Sequence, residues 1–423
     1  MRGAPAVCVL AVASLGCRSK PIAIPSEASA AASTVDAAAL LVAAARCAMQ
    51  PGSLALAEPD GIEDLAIGEA LSLETGSAIG LLRRGPRGRV ASVAFVPLDF
   101  NAVSFVDLVA AHPDDPPARP IVLGKQPFAL AYEHAPKRRL SLFRLVHAKA
   151  DVIFSFADGG DDSLAFDVAT KDDSGLLAWD EDAPGGIGVV KAAAFFPGSA
   201  PTPPLSVSKD TTDAEGPRVA VRTGGYWVAW LARRPEPPAE AGIAETKIES
   251  AGEVRTFQWV ELAAVDAAGK RQGEVQRLTP QDGHVASFDM VASAAGLDLF
   301  ARDVAEAKEG EGTRIFRVAV RGDKADPPLL LVKDSVGSGV PDVLSDSAGT
   351  IWLAYADTAD RTRLLPIFSS TPSPALPSIE PSFEGGRVLL ISSPANGMEG
   401  QKTVTVALPT DERRHIRRAL CGR

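Results

Sequence analysis

The sequence is poor in the residues on which most catalytic and metal-binding motifs depend. Its 423 residues include only 4 Cys, 5 His and 3 Tyr. The histidines are scattered and form no His-x-x-Glu-His pattern or similar pair, so a zinc site is unsupported. The chain also lacks a Gly-x-Ser-x-Gly elbow and a Gly-rich phosphate loop that opens a helix. We therefore expect no metal and no cofactor, and no local motif identifies a catalytic residue.

Excess positive charge and long apolar runs are also missing. Lys and Arg number 43 against 53 Asp and Glu, which gives a net charge of -10. This balance argues against general nucleic-acid binding, which needs a positive field to replace phosphate counterions. No segment has the roughly 20 apolar residues that a permanent membrane helix requires. At 46% apolar and 23% charged residues, the composition is that of an ordinary globular chain.

The N-terminus has the form of an export signal. A positive residue, Arg2, precedes a short apolar run over residues 4–16. The segment Ser14-Leu15-Gly16-Cys17 resembles the lipobox of bacterial lipoproteins, in which the Cys receives diacylglycerol and becomes the mature N-terminus. That family usually has Leu where Ser14 stands. The alternative is an ordinary signal peptide that is cut nearby and leaves Cys17 as a plain thiol.

The lipoprotein resemblance implies an order of segments and a cellular location. Residues 1–16 would be the signal peptide, and 17–58 would be the lipidated Cys followed by a tether rich in Ala, Ser and Pro. Such a tract has too few large apolar side chains to offset the entropy of ordering it. By resemblance to the lipoprotein sorting pattern, Arg18 rather than Asp after the Cys implies the outer membrane.

A repeated hairpin pattern runs through the chain from about residue 60. Each copy has a short apolar run, a turn with Gly, a second apolar run and a polar loop, which is hairpin chemistry. The seven turns lie at Gly175, Gly225, Gly296 and Gly349, and less clearly at Gly76, near Pro136 and at Gly386. The first four are 50, 71 and 53 residues apart, and a surface insertion at 233–253 explains the long interval.

Further strand-like runs follow the hairpins, for example at 188–195, 257–262, 314–320 and 362–368. Three or four short strands in each unit of roughly 40 to 50 residues are typical of β-propeller blades. We predict an all-β fold, with a β-propeller over 59–410 and a basic C-terminal tail over 411–423. Seven blades is the expected number, with six or eight as alternatives.

One hairpin resembles known propeller repeats. The segment from Asp346 to Trp352 is similar to the Asp-x-x-Gly-x-Ile-Trp pattern of extracytoplasmic sensor propellers, and to the Asp-box of sialidase-like propellers except at Ser347. Asp172-Asp-Ser-Gly175 repeats it in part. The resemblance implies propeller architecture over roughly 61–408. It involves one hairpin as a motif, so it says little about activity.

Acidic residues recur just after the second strand of the repeat, at Asp180, Asp182, Asp303 and Asp357. Equivalent positions lie at one end of a propeller, so these four are candidate rim contacts for a cation or a basic partner. Solvated loop tips are the alternative interpretation. The tryptophans of the same strands could bind carbohydrate, but packing between blades explains their positions equally well and is favoured.

Two cysteines remain once Cys8 is removed with the signal peptide and Cys17 is lipidated. Cys47 lies just before the first blade and Cys421 lies close to the C-terminus. A propeller brings its first and last blades together, and an exported protein folds under oxidising conditions. We therefore predict a disulfide between Cys47 and Cys421 that closes the ring. Two unpaired thiols are the alternative.

Together these features favour a lipid-anchored, extracytoplasmic binding or interaction module at the cell envelope. Its partner would be an envelope protein or a glycan, and not a nucleic acid. A sialidase-like hydrolase and a purely structural envelope protein are the alternatives. The hydrolase would need Arg residues converging on a Tyr nucleophile and its Glu, and only Tyr132, Tyr226 and Tyr355 are available.

Overall fold

The computed structural model describes residues 46–422, except 135–136, 147–148, 157–164, 184–185, 210–211, 236–255, 294, 305–312, 336–340, 347–348, 357–360, 368–382, 385–388, 393–403 and 410–414. The described residues form β-strands, with one short 3-10 helix at Pro59–Asp64. Within these ranges no helix has the length and hydropathy to cross a membrane. The all-β prediction is confirmed. Signal peptide, Cys17 and most of the predicted tether lie outside the described residues.

Six sheets are built from consecutive antiparallel strands. Blade 1 comprises β3 (Ala66–Leu73), β4 (Gly76–Gly85), β5 (Gly88–Pro97) and β6 (Ser104–Ala110). Blade 2 comprises β7 (Arg119–Leu123), β8 (Gln126–Glu133), β9 (Arg139–Val146) and β10 (Lys149–Ser155). Blade 3 comprises β11 (Phe166–Lys171), β12 (Ser174–Ala183), β13 (Ile187–Phe195) and β14 (Leu205–Ser206).

The second half of the chain repeats this arrangement. Blade 4 comprises β15 (Asp213–Arg222), β16 (Gly225–Pro235), β17 (Thr256–Asp266) and β18 (Arg271–Arg277). Blade 5 comprises β19 (Val285–Ser293), β20 (Gly296–Asp303), β21 (Thr313–Arg321), β22 (Lys324–Ala325) and β23 (Leu329–Ser335), with β22 and β23 both paired to β21. Blade 6 comprises β24 (Asp342–Ser345), β25 (Ile351–Ala356), β26 (Arg361–Ile367) and β27 (Phe383–Glu384).

A seventh sheet combines strands from both ends of the described chain. It contains β1 (Arg46–Met49), β2 (Leu54–Ala55), β28 (Leu389–Ser392), β29 (Val404–Pro409) and β30 (His415–Gly422). Its strand order is β1-β30-β29-β28, and β2 also pairs with β30. We call it the closing sheet. It differs from the predicted boundaries, since residues assigned to the tether and to the basic tail both supply strands.

β30 was not recognised as a strand in the sequence because its buried side chains are interspersed with charged ones. Ile416, Ala419 and Cys421 are buried, whereas Arg417 between them is exposed. In β1, Cys47 is the antiparallel register partner of Cys421. Both ends of the propeller therefore meet in one sheet.

One edge strand of each sheet contacts the corresponding edge strand of the next sheet around a closed ring. The order is β3, β7, β11, β15, β19, β24 and β28, and β28 returns to contact β3. This arrangement is the predicted β-propeller, and these seven strands are its innermost ones. Six blades consist of consecutive strands, so the expected seven is reached only if the closing sheet is counted.

Five of the predicted hairpins join the first and second strands of a blade, those at Gly76, Gly175, Gly225, Gly296 and Gly349. Pro136, near which a turn was predicted, lies outside the described residues, in the interval between the second and third strands of blade 2. The first hairpin of that blade turns at Gly124 and Lys125, where Gly124 has φ +60°. Neither Asp nor Ser precedes Gly124, so the expected turn signal was missing. Gly386 lies outside the described residues.

The core lies between neighbouring sheets, which pack face to face. The side chains of Trp230, Trp259 and Trp352 are at most 2% exposed and are among the largest buried groups of the molecule. Trp179 and Trp227 are also buried, so packing between blades, the favoured interpretation of these tryptophans, accounts for them. The insertion predicted at 233–253 falls between β16 and β17, mostly outside the described residues.

Candidate functional site

Charged side chains on the innermost strands form a cluster along the ring axis. We call the following six residues the axial cluster: Glu69 on β3, Arg119 on β7, Asp167 on β11, Arg218 on β15, Asp289 on β19 and Asp342 on β24. Six neighbouring blades each contribute one residue. Two cations and four carboxyl groups therefore meet on the innermost strands of the ring.

Arg119 links three blades through its guanidinium group. It lies 3.1 Å from a carboxylate oxygen of Glu69 and 2.8 Å from one of Asp167. Arg218 lies 3.7 Å from Asp289 on the following blade. Each cation of the axial cluster is thus offset by at least one carboxylate from a neighbouring blade.

Burial and mutual repulsion shift the acid–base equilibria of this cluster. Burial raises the pKa of Asp289 to about 7, with a further contribution from Glu69, although Arg218 and two backbone N–H groups oppose the shift. Burial alone would lower the pKa of Arg119, but the surrounding carboxylates outweigh it and raise that pKa above its usual range. At neutral pH the cluster therefore holds two fixed positive charges and a carboxyl group close to its midpoint of titration.

A cleft opens on the face of the ring that carries the first hairpins. Its volume is about 460 Å³, and blades 3, 4 and 5 all contribute to it. We call it the hairpin-face cleft, and its polar and aromatic lining consists of Lys171, Arg222, Thr223, Trp227, Ser293 and Asp323. The remaining lining residues are small or aliphatic, so the floor is not filled by large side chains.

The cleft lies at the end of the same strands that carry the axial cluster. Lys171, Arg222 and Ser293 each come four residues after a residue of the cluster, on β11, β15 and β19 respectively. At about 3.3 Å per residue, the two levels are roughly 13 Å apart along the strands. The ring therefore presents a partly buried charged level inside and an open polar mouth at one end.

In the hairpin that resembles sensor and Asp-box propellers, the acidic residue Asp346 has a structural role. The Asp346 carboxylate accepts hydrogen bonds from the backbone N–H of Thr350 (2.9 Å) and from the indole N–H of Trp352 (3.1 Å). Gly349 takes φ +77° in the turn. The motif therefore fixes this turn against the buried side chain of Trp352.

The predicted rim acids occupy strand ends. Asp180 and Asp182 lie within β12, and Asp303 is the last residue of β20. The Asp180 carboxylate accepts hydrogen bonds from the backbone N–H groups of Ala165 and Gly216, which joins blade 3 to blade 4. Asp357 lies outside the described residues. A contact of these acids with a partner stays a prediction.

None of the three tyrosines of the chain lies on an innermost strand. Tyr132, Tyr226 and Tyr355 lie on β8, β16 and β25, each the second strand of its blade. The rings of Tyr132 and Tyr226 are buried, and the Tyr226 hydroxyl lies 3.4 Å from the Ser174 hydroxyl. Two Arg residues do converge at the axis, but with carboxylates rather than with a Tyr and Glu pair.

Sequence reasoning missed the axial cluster and the hairpin-face cleft. The available signal was a single charged residue inside each apolar first strand, as in Phe166-Asp167-Val168 and Phe288-Asp289-Met290. The described residues contain no group of three or more His, Cys, Asp or Glu side chains arranged to hold a metal ion.

No protein-family model and no curated protein matches the sequence. Solved structures are similar in fold. The BP39L lectin from Burkholderia pseudomallei is 11% identical, and the alignment covers 83% of this chain and 95% of the lectin, with a TM-score of 0.55. An ulvan lyase, a polysaccharide lyase bound to an oligosaccharide of GlcA and Rha3S, is 9% identical over 86% of this chain and 95% of the lyase, with a TM-score of 0.55. At such identities the likeness shows the propeller fold alone.

Proposed function

We propose that the protein is a binding module that takes a glycan in the hairpin-face cleft. The observation that carries the proposal is the cleft itself, an open cavity of about 460 Å³ with hydroxyl and charged groups along its walls. This size lies in the range of ligand sites, and a few placed hydroxyl and charged groups can bind the hydroxyl groups of a sugar.

The interior of the ring supports binding rather than hydrolysis. Arg119 and Arg218 are both paired with carboxylates of neighbouring blades, and no tyrosine lies on an innermost strand. The lectin and the polysaccharide lyase of similar fold have glycan ligands according to their descriptions. From these two proteins we carry over only the class of partner.

We further propose that the module is displayed at the cell envelope by a lipid on Cys17, as the lipobox resemblance implies. A disulfide between Cys47 and Cys421 would suit this oxidising location. Two observations support the pairing: the side chain of Cys421 is buried, and Cys47 is its register partner across β1 and β30.

An array of neutral and acidic oligosaccharides, probed with the full chain in detergent, tests glycan binding. We expect selective binding that the double variant Thr223→Val/Ser293→Val weakens, because both hydroxyl groups line the cleft. Ser199→Val, a change of an exposed hydroxyl outside the cleft, serves as the matched control. Binding to no glycan on the array, or binding that is unaffected in the double variant, would contradict the proposal.

Membrane fractionation tests the anchor separately. The native chain, expressed in a bacterium with the lipoprotein pathway, should sediment with the outer membrane and incorporate labelled fatty acid. Cys17→Ser should be released in soluble form without label, whereas Cys8→Ser should behave as the native chain. Equal labelling of the native chain and Cys17→Ser would rule out lipidation at this residue.

A further inference from the structure

We infer that the hairpin-face cleft binds an anionic sugar unit, one that carries a carboxylate or a sulfate group, through Lys171 and Arg222. The inference rests on the proposed glycan-binding function and names the chemical class of its ligand. It starts from the charges of the cleft, which differ in sign from the charge of the whole protein. The chain carries -10 overall, whereas the charged lining of the cleft consists of two cations and one carboxylate.

The two cations of the cleft have no acidic partner among the residues that the structure describes. Neither Lys171 nor Arg222 forms an ion pair with a carboxylate of any residue that the structure describes. They belong to adjacent blades and end the innermost strands β11 and β15, so they approach the same cavity from two sides. Asp172 and Asp173 follow Lys171 in its turn but do not line the cavity.

Arg222 is held in place by an aromatic ring rather than by an acid. Its guanidinium carbon lies 4.6 Å from the ring centre of Trp227, which is a cation–π contact. This contact orients the planar group and leaves its N–H donors unused by a carboxylate. A guanidinium group presents these donors in a fork that matches a carboxylate or a sulfate.

Two arginines of blade 5 do not add unpaired positive charge of this kind. Arg317 and Arg321 on β21 lie 2.7 Å and 3.1 Å from Asp298, a carboxylate with no exposed surface. Ser293, which lines the cleft, also donates a hydrogen bond to Asp298 at 3.1 Å. The pair at Lys171 and Arg222 is therefore the positive part of the cleft that a ligand can meet.

Removing the negative charge of Asp323 should have the opposite effect on ligand binding to removing a cation of the cleft. It is exposed, it lies in the turn between β21 and β22, and it is the carboxylate that lines the cleft. Its removal should favour an anionic ligand and leave a neutral one unaffected. A structural perturbation of the cleft would weaken the binding of both ligands, so this variant separates electrostatic recognition from damage to the fold.

The experiment uses matched glycans that differ only in one acidic group, first on the array and then, for the strongest acidic glycan, by calorimetry with the full chain. We expect the acidic member of a pair to bind at least about tenfold more tightly than its neutral counterpart, since hydrogen bonds to charged groups contribute at least that factor. Sulfated and carboxylated pairs are tested in separate arms. The preference should shrink as salt is raised, because salt screens exposed charges.

The variants Lys171→Gln and Arg222→Gln should each weaken binding of the acidic glycan about tenfold, with little effect on the neutral one. Asp323→Asn should tighten it about threefold, the size of an exposed charge interaction. Lys125→Gln is the matched control. Lys125 is an exposed lysine in the corresponding turn of blade 2, outside the cleft, so its removal should change binding by less than twofold.

Three results would overturn the inference, and they separate it from the proposed function. Equal binding of neutral and acidic partners in every pair would leave glycan binding intact but remove the anionic class. Inorganic sulfate or acetate that competes as well as the acidic glycan would indicate an anion site without sugar recognition. If no glycan binds, the proposed function and the inference both fail.

Discussion

The carboxylate of Asp167 accepts a hydrogen bond of 2.7 Å from the backbone N–H of Val219 on the next blade. The relationship recurs around the ring. Asp289 accepts from the backbone N–H of Val343 at 3.0 Å, and Asp342 accepts from that of Leu390 at 3.1 Å. An acid on one innermost strand thus satisfies a backbone donor on the following one at three sheet junctions. The axial cluster therefore holds sheets together in addition to lining the axis.

Asp167 should be among the acids on which stability depends most. Its side chain is 3% exposed and also pairs with Arg119. Asp167→Ala removes one of the two carboxylates that pair with Arg119 and leaves the buried backbone N–H of Val219 without its acceptor, which we expect to lower the free energy of unfolding by about 2–3 kcal/mol. Asp167→Asn keeps an acceptor oxygen and should cost less. Denaturant midpoints measure both, with exposed Asp151→Ala as the control, and equal midpoints for Asp167→Ala and Asp151→Ala would refute the role.

Stability should depend on pH through Asp289. Burial raises the pKa of this carboxyl group to about 7 in the folded protein, from 3.8 as its ordinary value. Between these two values the folded state binds more protons than the unfolded state, so this group's contribution to stability falls as pH rises from about 4 to about 7. It stays at its lowest value above that range.

Asp289→Asn removes the titration, so its melting temperature should rise relative to that of the native protein as pH increases from 4 to 8. The comparison between the two chains at each pH cancels the titration of groups that both retain. Arg218 and Glu69, which interact with Asp289, and Asp342, which belongs to the same axial cluster, are unchanged in the variant. A difference in melting temperature that is constant across this range would show that Asp289 does not titrate there.

Gly80 should tolerate no side chain, because blade 1 packs its backbone against blade 2 at this position. A Cβ atom on Gly80 would stand 1.6 Å from the carbonyl oxygen of Ala118, so backbone would have to move. We expect Gly80→Ala to destabilise the protein by about 3 kcal/mol or more, as overpacked cores do. Gly198→Ala is the matched control, since a Cβ there meets nothing within 4 Å. Thermal unfolding of the two variants should differ clearly, and similar curves would be evidence against the close approach.

The predicted disulfide between Cys47 and Cys421 should contribute about 5 kcal/mol in the chain-entropy description, because it closes a loop of several hundred residues. Cys47→Ser, Cys421→Ser and the double variant should therefore have equal, lowered unfolding midpoints. A non-reducing peptide map should contain the linked peptide. If both thiols react with an alkylating reagent in the unreduced, unfolded protein, the disulfide is absent.

The features that sequence predicted are those encoded over a few neighbouring residues. The turns at Gly225 and Gly349 were recognised because their chemistry is local, and repetition of such turns indicated a propeller. The axial cluster was not, because Arg119 and Asp167 are isolated charges in apolar strands until ring closure brings their blades together. The cleft was also not predicted, because Lys171 and Asp323 lie far apart in the chain and come together only through the order of the blades.

The closing sheet imposes an order of assembly on this protein. Blades 1 to 6 consist of strands that follow one another, so each can begin to form as soon as its own segment is available. β1 pairs with β30, which follows the strands of all six blades in the sequence. Because a polypeptide is synthesised from its N-terminus, β1 has no partner until β30 has been made. A product that ends before β30 therefore cannot complete the ring.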